Sequence, residues 1–246
     1  MRAFAALAAT LALGAAANAA VPERCMVPHA LVEPHALLPR VSHAVKREQK
    51  LDIVVLSGAP SQVGLGDGPR SYPWFLEKEL RERLPNTQIR VVVRAAPRRS
   101  AIELIPTLPQ ILAEEKPTLV IWQSGTVEAY RGIDADGYGR KLQVGVGLLL
   151  EGGTDVLLVN MQYSPRTDAM VDAAAYTEVM RAVGQARDVP FFNRYRVMRE
   201  WSETGAFDLA ALHIGRTEYE EIHRCIGALM AEFLVRAATL NANASR

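Results

Sequence analysis

The side chains able to do chemistry in this chain are few, and their spacing narrows what that chemistry could be. His29, His35 and His43 are too irregularly spaced for a metal set, and no thiolate or acid converges on them, so no metal is expected. No phosphate-loop or dinucleotide fingerprint occurs, and no cofactor is expected. Arg98 and Arg99 lie where a second strand feeds the next helical segment, and Arg131 and Arg166 follow a third and a fourth strand. Open α/β sheets bind ligands beyond the carboxyl ends of their strands. Four arginines there could hold an anionic ligand, an acidic glycan or a carboxylate, by charge-assisted hydrogen bonds; alternatively each packs its stem on the surface.

Such positions have to be supplied by a regular alternation of elements. Leu51 to Leu56 is an apolar, β-branched run that runs into a glycine-rich loop, and it reads as a buried parallel strand. Ser71 to Leu84 places Tyr72, Phe75, Leu76, Leu80 and Leu84 on one helical face. Ile89 to Val93 is a second strand, and Ala101 to Lys116, interrupted by Pro106 and Pro109, is helical in pieces. Thr118 to Gln123 and Asp155 to Met161 are further strands around a helix over Asp134 to Glu151, whose Gly145 and Gly147 imply close packing on the sheet. A helix over Asp168 to Arg187, a short strand at Val189 to Phe192, and helices over Arg194 to Glu203 and Thr217 to Ala238 complete the chain. Strands separated by helices imply right-handed βαβ units in a three-layer α/β/α sandwich.

At 246 residues and 49% hydrophobic content, the chain can bury one sizeable core. A net charge of +1 offers no basic footprint for nucleic acid. Arg2, the apolar run to Ala16 and Ala17-Asn18-Ala19 read as a signal peptide over residues 1–19. Residues 20–50 then form an irregular, proline-punctuated arm, and residues 51–240 the domain. No later segment is apolar enough to span a bilayer, so the mature protein is expected in the periplasm or secreted. An oxidising compartment favours pairing Cys25 with Cys225, the alternative being two buried thiols.

Lys116 to Thr126, KPTLVIWQSGT, resembles the third conserved block of the SGNH/GDSL hydrolases, esterases and acyl hydrolases of flavodoxin-like fold. Met161 to Arg166, MQYSPR, is similar to a segment of exported members, which makes Gln162 a candidate ligand contact, and the cysteine pair also looks like one they carry. The resemblance implies a five-stranded parallel sheet in the order 2-1-3-4-5 and places the catalytic histidine at His213. It also exposes losses. Pro60 stands at the nucleophile position, Ala95 at the second block's glycine, Val127 at the third block's asparagine and Ala210 at the acid. Proline has neither hydroxyl nor N–H, and valine cannot donate to an oxyanion. The implied protein is a degenerate hydrolase that binds a small molecule or glycan ester. The alternative is an active esterase with a shifted nucleophile, Ser61, and His213 as base, oriented by Asp208 or Glu203.

Overall fold

The computed structural model describes residues 21–58 and 70–239. The segment expected to be a signal peptide, Pro60 and Ser61 lie outside these residues. Five parallel strands form one sheet in the order β2-β1-β3-β4-β5. They are β1 (Lys50–Ser57), β2 (Gln88–Ala95), β3 (Leu119–Gln123), β4 (Asp155–Val159) and β5 (Phe191–Phe192). The order is the one the family resemblance implied, with the first strand flanked on both sides.

A strand buried on both faces serves two cores at once, because successive side chains point to opposite sides. Ile53 and Val55 of β1 join one cluster, with Tyr72 and Leu76 of α2 (Tyr72–Arg83) and Ile226, Met230 and Phe233 of the last helix (Arg216–Thr239). Val54 and Leu56 join the other, with Leu142 and Val146 from the helix Ala135–Glu151 and Met180 from Ala173–Arg187. No helix among the described residues is long and apolar enough to cross a membrane.

The arm is more ordered than its prolines suggested. Pro39–Lys46 is a helix, α1, with Pro39 in its first turn, where a missing N–H costs nothing. Val41 is buried, and the N–H groups of Arg40 and Val41 donate to Asp155 on β4 at 2.9 and 3.0 Å. Cys25 is disulfide-bonded to Cys225, joining the arm to the last helix. Trp201 Nε1 donates to the Cys25 carbonyl at 3.2 Å, which fixes the arm from a second side.

After β2 come α3 (Ala101–Leu104), a 3-10 turn and α4 (Leu108–Glu115), the fragmentation that Pro106 and Pro109 require. A short helix, α5 (Thr126–Arg131), follows β3, and α6 is Ala135–Glu151. The helix expected over Asp168 to Arg187 is two: α7 (Pro165–Met170) and α8 (Ala173–Arg187). Val171 is extended between them, and Asp172 caps α8 by accepting from Ala175 N–H at 3.1 Å. α9 is Arg194–Glu203 and α10 is Arg216–Thr239. Of the two glycines expected on the sheet, Gly145 packs there: a Cβ would come 2.4 Å from Trp122. Gly147 instead faces Arg187 of α8.

The edge strand β2 is rimmed with charge. Arg90 pairs with Asp52 at 2.5 Å and with Glu115 at 2.9 Å, and Arg94 pairs with Glu114 at 3.0 Å and with Glu115. Hydrogen bonds from both arginines hold the Glu115 carboxyl below its usual range.

Candidate functional site

The carboxyl ends of the strands bring three polar residues into one buried line. Gln123 Nε2, ending β3, donates to Ser57 Oγ, ending β1, at 3.1 Å. Arg194, the first residue of α9, donates from Nη1 to Gln123 Oε1 at 3.0 Å. α9 starts there because the Asn193 side chain accepts from Arg196 N–H, and Asn160, at the end of β4, donates to that same Asn193 oxygen at 2.8 Å.

On the β2 side of this line the space is small. Arg98 N–H donates to the Gly58 carbonyl at 2.7 Å, and a Cβ at Gly58 would lie 1.8 Å from the Arg99 carbonyl oxygen. Only glycine permits that approach. The same Cβ would lie 3.5 Å from Val127 Cγ2, so a methyl group stands beside the end of β1. Gly125, at φ +96°, turns the chain into α5, and the buried Glu128 carboxylate accepts from Gly125 N–H at 2.9 Å and Ala101 N–H at 2.5 Å. Two amide donors in this region thus serve an internal carboxylate. Only a narrow gap remains between Gly58, Arg99 and Val127.

On the other side lies a larger cleft, open to solvent and walled by residues of the β4 loop, α9 and α10, among them Gln162, Tyr163, Arg194, Tyr219 and His223. Arg194 is 4% exposed, and its Nε has no hydrogen-bond partner among the described residues. Desolvation lowers its pKa to about 10, so it stays cationic at neutral pH. His223 keeps one edge accessible while its ring lies against Tyr72 and Tyr219, with centroids 6.3 and 4.2 Å away. Its Nδ1 accepts from Tyr72 N–H at 3.1 Å. Burial, aided by the Arg194 charge, lowers its pKa to about 3, so the ring is neutral with its proton on Nε2. Burial likewise pushes the Tyr72 hydroxyl up to about 12.

A family model described as the non-GDSL lipase-like family matches residues 24–240. The chain belongs to the non-GDSL lipase-like family. Solved structures agree on an SGNH hydrolase-like fold. TesA is 20% identical with a TM-score of 0.54, covering 74% of this chain and 99% of its own. A catalytic mutant of Axe2, an acetylxylan esterase from Geobacillus stearothermophilus, is 16% identical at TM-score 0.58, covering 77% and 94%. A two-domain esterase, CEX, active on acetylated mannans, is 14% identical at TM-score 0.62, covering 85% of this chain and 57% of that one. A search of curated proteins by sequence found no match.

The positions that the sequence resemblance singled out fall as follows. His213 is exposed on the loop before α10, between Leu212 and Ile214, and makes no hydrogen bond among the described residues. Ala210 is exposed on the same loop. Asp208 accepts from Ala210 N–H at 3.1 Å, and Glu203 pairs with Arg199 at 2.7 Å, so neither orients His213. Ala95 ends β2 opposite Ser57.

Of the arginines singled out from sequence, none lines the larger cleft. Arg131 is committed to Glu103 at 2.8 Å and to the Arg98 carbonyl at 2.7 Å; Arg98 and Arg166 are exposed. Gln162 does line it. Arg194 and His223 were missed. For His223 a signal existed, since it stands four residues after Tyr219 and three before Ile226, both placed on the buried face of α10. For Arg194 there was none, because Arg196 and Arg199 share its helix and nothing in their order marks the buried one.

Proposed function

We propose that this protein is an exported, catalytically degenerate member of its hydrolase-like family that acts as a binding or accessory protein for a small molecule or glycan ester. The observation that supports the reading is that His213 has no hydrogen-bond partner among the described residues. An imidazole base needs a carboxylate on one nitrogen to hold its tautomer and a hydroxyl on the other. Here the acid position is Ala210, while Asp208 and Glu203 are engaged elsewhere. The Val127 methyl beside Gly58 supports the same conclusion, since removing one oxyanion donor already costs on the order of 3 kcal/mol of transition-state stabilisation. The Cys25–Cys225 bridge supports export to an oxidising compartment.

The test is hydrolysis of p-nitrophenyl acetate and of acetylated xylan by the mature chain and by its His213→Ala variant. Equal rates, indistinguishable from the uncatalysed reaction, are expected. Pro60→Ser alone should restore nothing, because triad members act as a unit and the acid at position 210 would still be missing. Clear turnover abolished by both Ser61→Ala and His213→Ala would instead establish the esterase with Ser61 as nucleophile.

A further inference from the structure

The larger cleft contains a cation that no group among the described residues neutralises. Arg194 is almost wholly buried, yet its one hydrogen-bond acceptor is the neutral Gln123 amide, and among the described residues no carboxylate pairs with it. A guanidinium taken out of water without a counter-ion is costly, and such a residue persists where it has an anion to meet. His223 adds a second donor: Nδ1 is occupied by Tyr72 N–H, which leaves the Nε2–H without a partner among the described residues, in the same cleft. The remaining walls are largely apolar, with Met198, Leu209, Ile222 and Ile226 along them.

We propose that this cleft binds a small organic monocarboxylate with an apolar body, the carboxylate on Arg194 and the Nε2–H of His223, the body against Met198, Leu209, Ile222 and Ile226. One fixed positive charge matches one negative charge. A phosphate dianion would call for further cations, and an uncharged sugar would leave the guanidinium unpaired. The inference rests on the reading of the chain as a binder and narrows its ligand to molecules carrying a carboxylate.

The experiment titrates the mature protein with sodium hexanoate and sodium benzoate, and in parallel with hexanamide, benzamide, acetate and inorganic phosphate, following binding by calorimetry and by chemical shifts of the Tyr and His rings. Hexanoate is expected to bind at least about tenfold more tightly than hexanamide, acetate or phosphate. Arg194→Met should abolish that preference. Because this substitution also strips Gln123 of its donor and could unsettle the fold, a surface variant provides the second arm. Ile214→Asp, at the exposed mouth, places a like charge near the ligand and should weaken hexanoate about fivefold while leaving hexanamide within about twofold. Equal affinity for acid and amide, or for acetate and hexanoate, would overturn the proposal, as would a preference that survives both variants. These probes have no ester to cleave. Turnover of p-nitrophenyl acetate would therefore refute the non-catalytic reading without touching the carboxylate site, and absent hexanoate binding in an inactive protein would refute the carboxylate site alone.

Discussion

Acid should find His223 before it finds most of the fold. The ring stays neutral to about pH 3 in the folded protein, whereas an unfolded histidine takes up its proton near 6.5. Between these values the unfolded chain binds a proton that the folded chain refuses, so stability falls as pH falls, by up to about 1.4 kcal/mol per pH unit from this one group. Above 6.5 both states are neutral and the contribution is constant. From pH 7 to pH 5 the loss is about 2 kcal/mol, a ceiling, because the ring keeps one edge open to the cleft. The charged and titratable groups facing it are Arg194, which lowers its pKa, with Tyr72 and Tyr219, both neutral here. The perturbation is His223→Asn, whose side-chain oxygen can still accept from Tyr72 N–H but does not titrate. Urea unfolding at intervals from pH 7.5 to 4.5 gives the two stability curves, and carboxylates such as Glu115 and Glu220 bend both alike. The difference between wild type and variant should shrink by about 2 kcal/mol between pH 7 and pH 5. Parallel curves would refute the reasoning, and so would a gap that widens toward acid.

Further outcomes are specific to single contacts. Gly227→Ala puts a Cβ 2.7 Å from Phe75 Cβ and 2.9 Å from Leu76 N, so α10 and α2 must separate, at a cost of about 1–3 kcal/mol in thermal or urea unfolding. Gly215→Ala, with nothing within 4 Å, is the control and should be neutral. Glu128→Ala strands the Gly125 and Ala101 amides and should cost about 3 kcal/mol, while Glu128→Gln, which keeps one acceptor, should cost about half of that in the same assay. Replacing Cys25 and Cys225 with serine opens a loop spanning 200 positions. Destabilisation by about 5 kcal/mol is expected from chain entropy, read as a lower urea midpoint, and dithiothreitol should reproduce it in the wild type.

The strand and helix alternation was legible because each strand is a short apolar run and each long helix has one apolar face; the strand order came from the family blocks. What misled were residues that both start and stop elements. Pro39 read as part of an irregular arm, yet it occupies the first turn of a helix, as Pro165 does in α7. Asp168 looked like the start of α8, but its carboxylate accepts from the Tyr195 hydroxyl, while Asp172 four residues on does the capping. In the site, the replaced positions could be named through the family resemblance, which residue spacing by itself does not supply. The cleft beside them could not: burial of Arg194 depends on the β4 loop, α9 and α10 closing over it, elements separated by tens of residues. Exposed arginines after strands are common, and position along a chain carries no information about which one loses its water.

The sheet's two edges also determine how these molecules treat one another when crowded. β2 carries Val91, Val92 and Val93 in sequence, the kind of run on which a second copy could lay a strand of its own. Arg90 and Arg94 bracket that run, and both are tied into acidic partners, so an incoming strand would have to strip water from a charged rim. At the opposite edge β5 is two residues long, too brief a template for a ladder to propagate. Growth by strand addition is disfavoured at both ends. Arg94→Val should therefore cost colloidal stability, seen as light scattering that rises with time and concentration, before it costs much in the folding equilibrium.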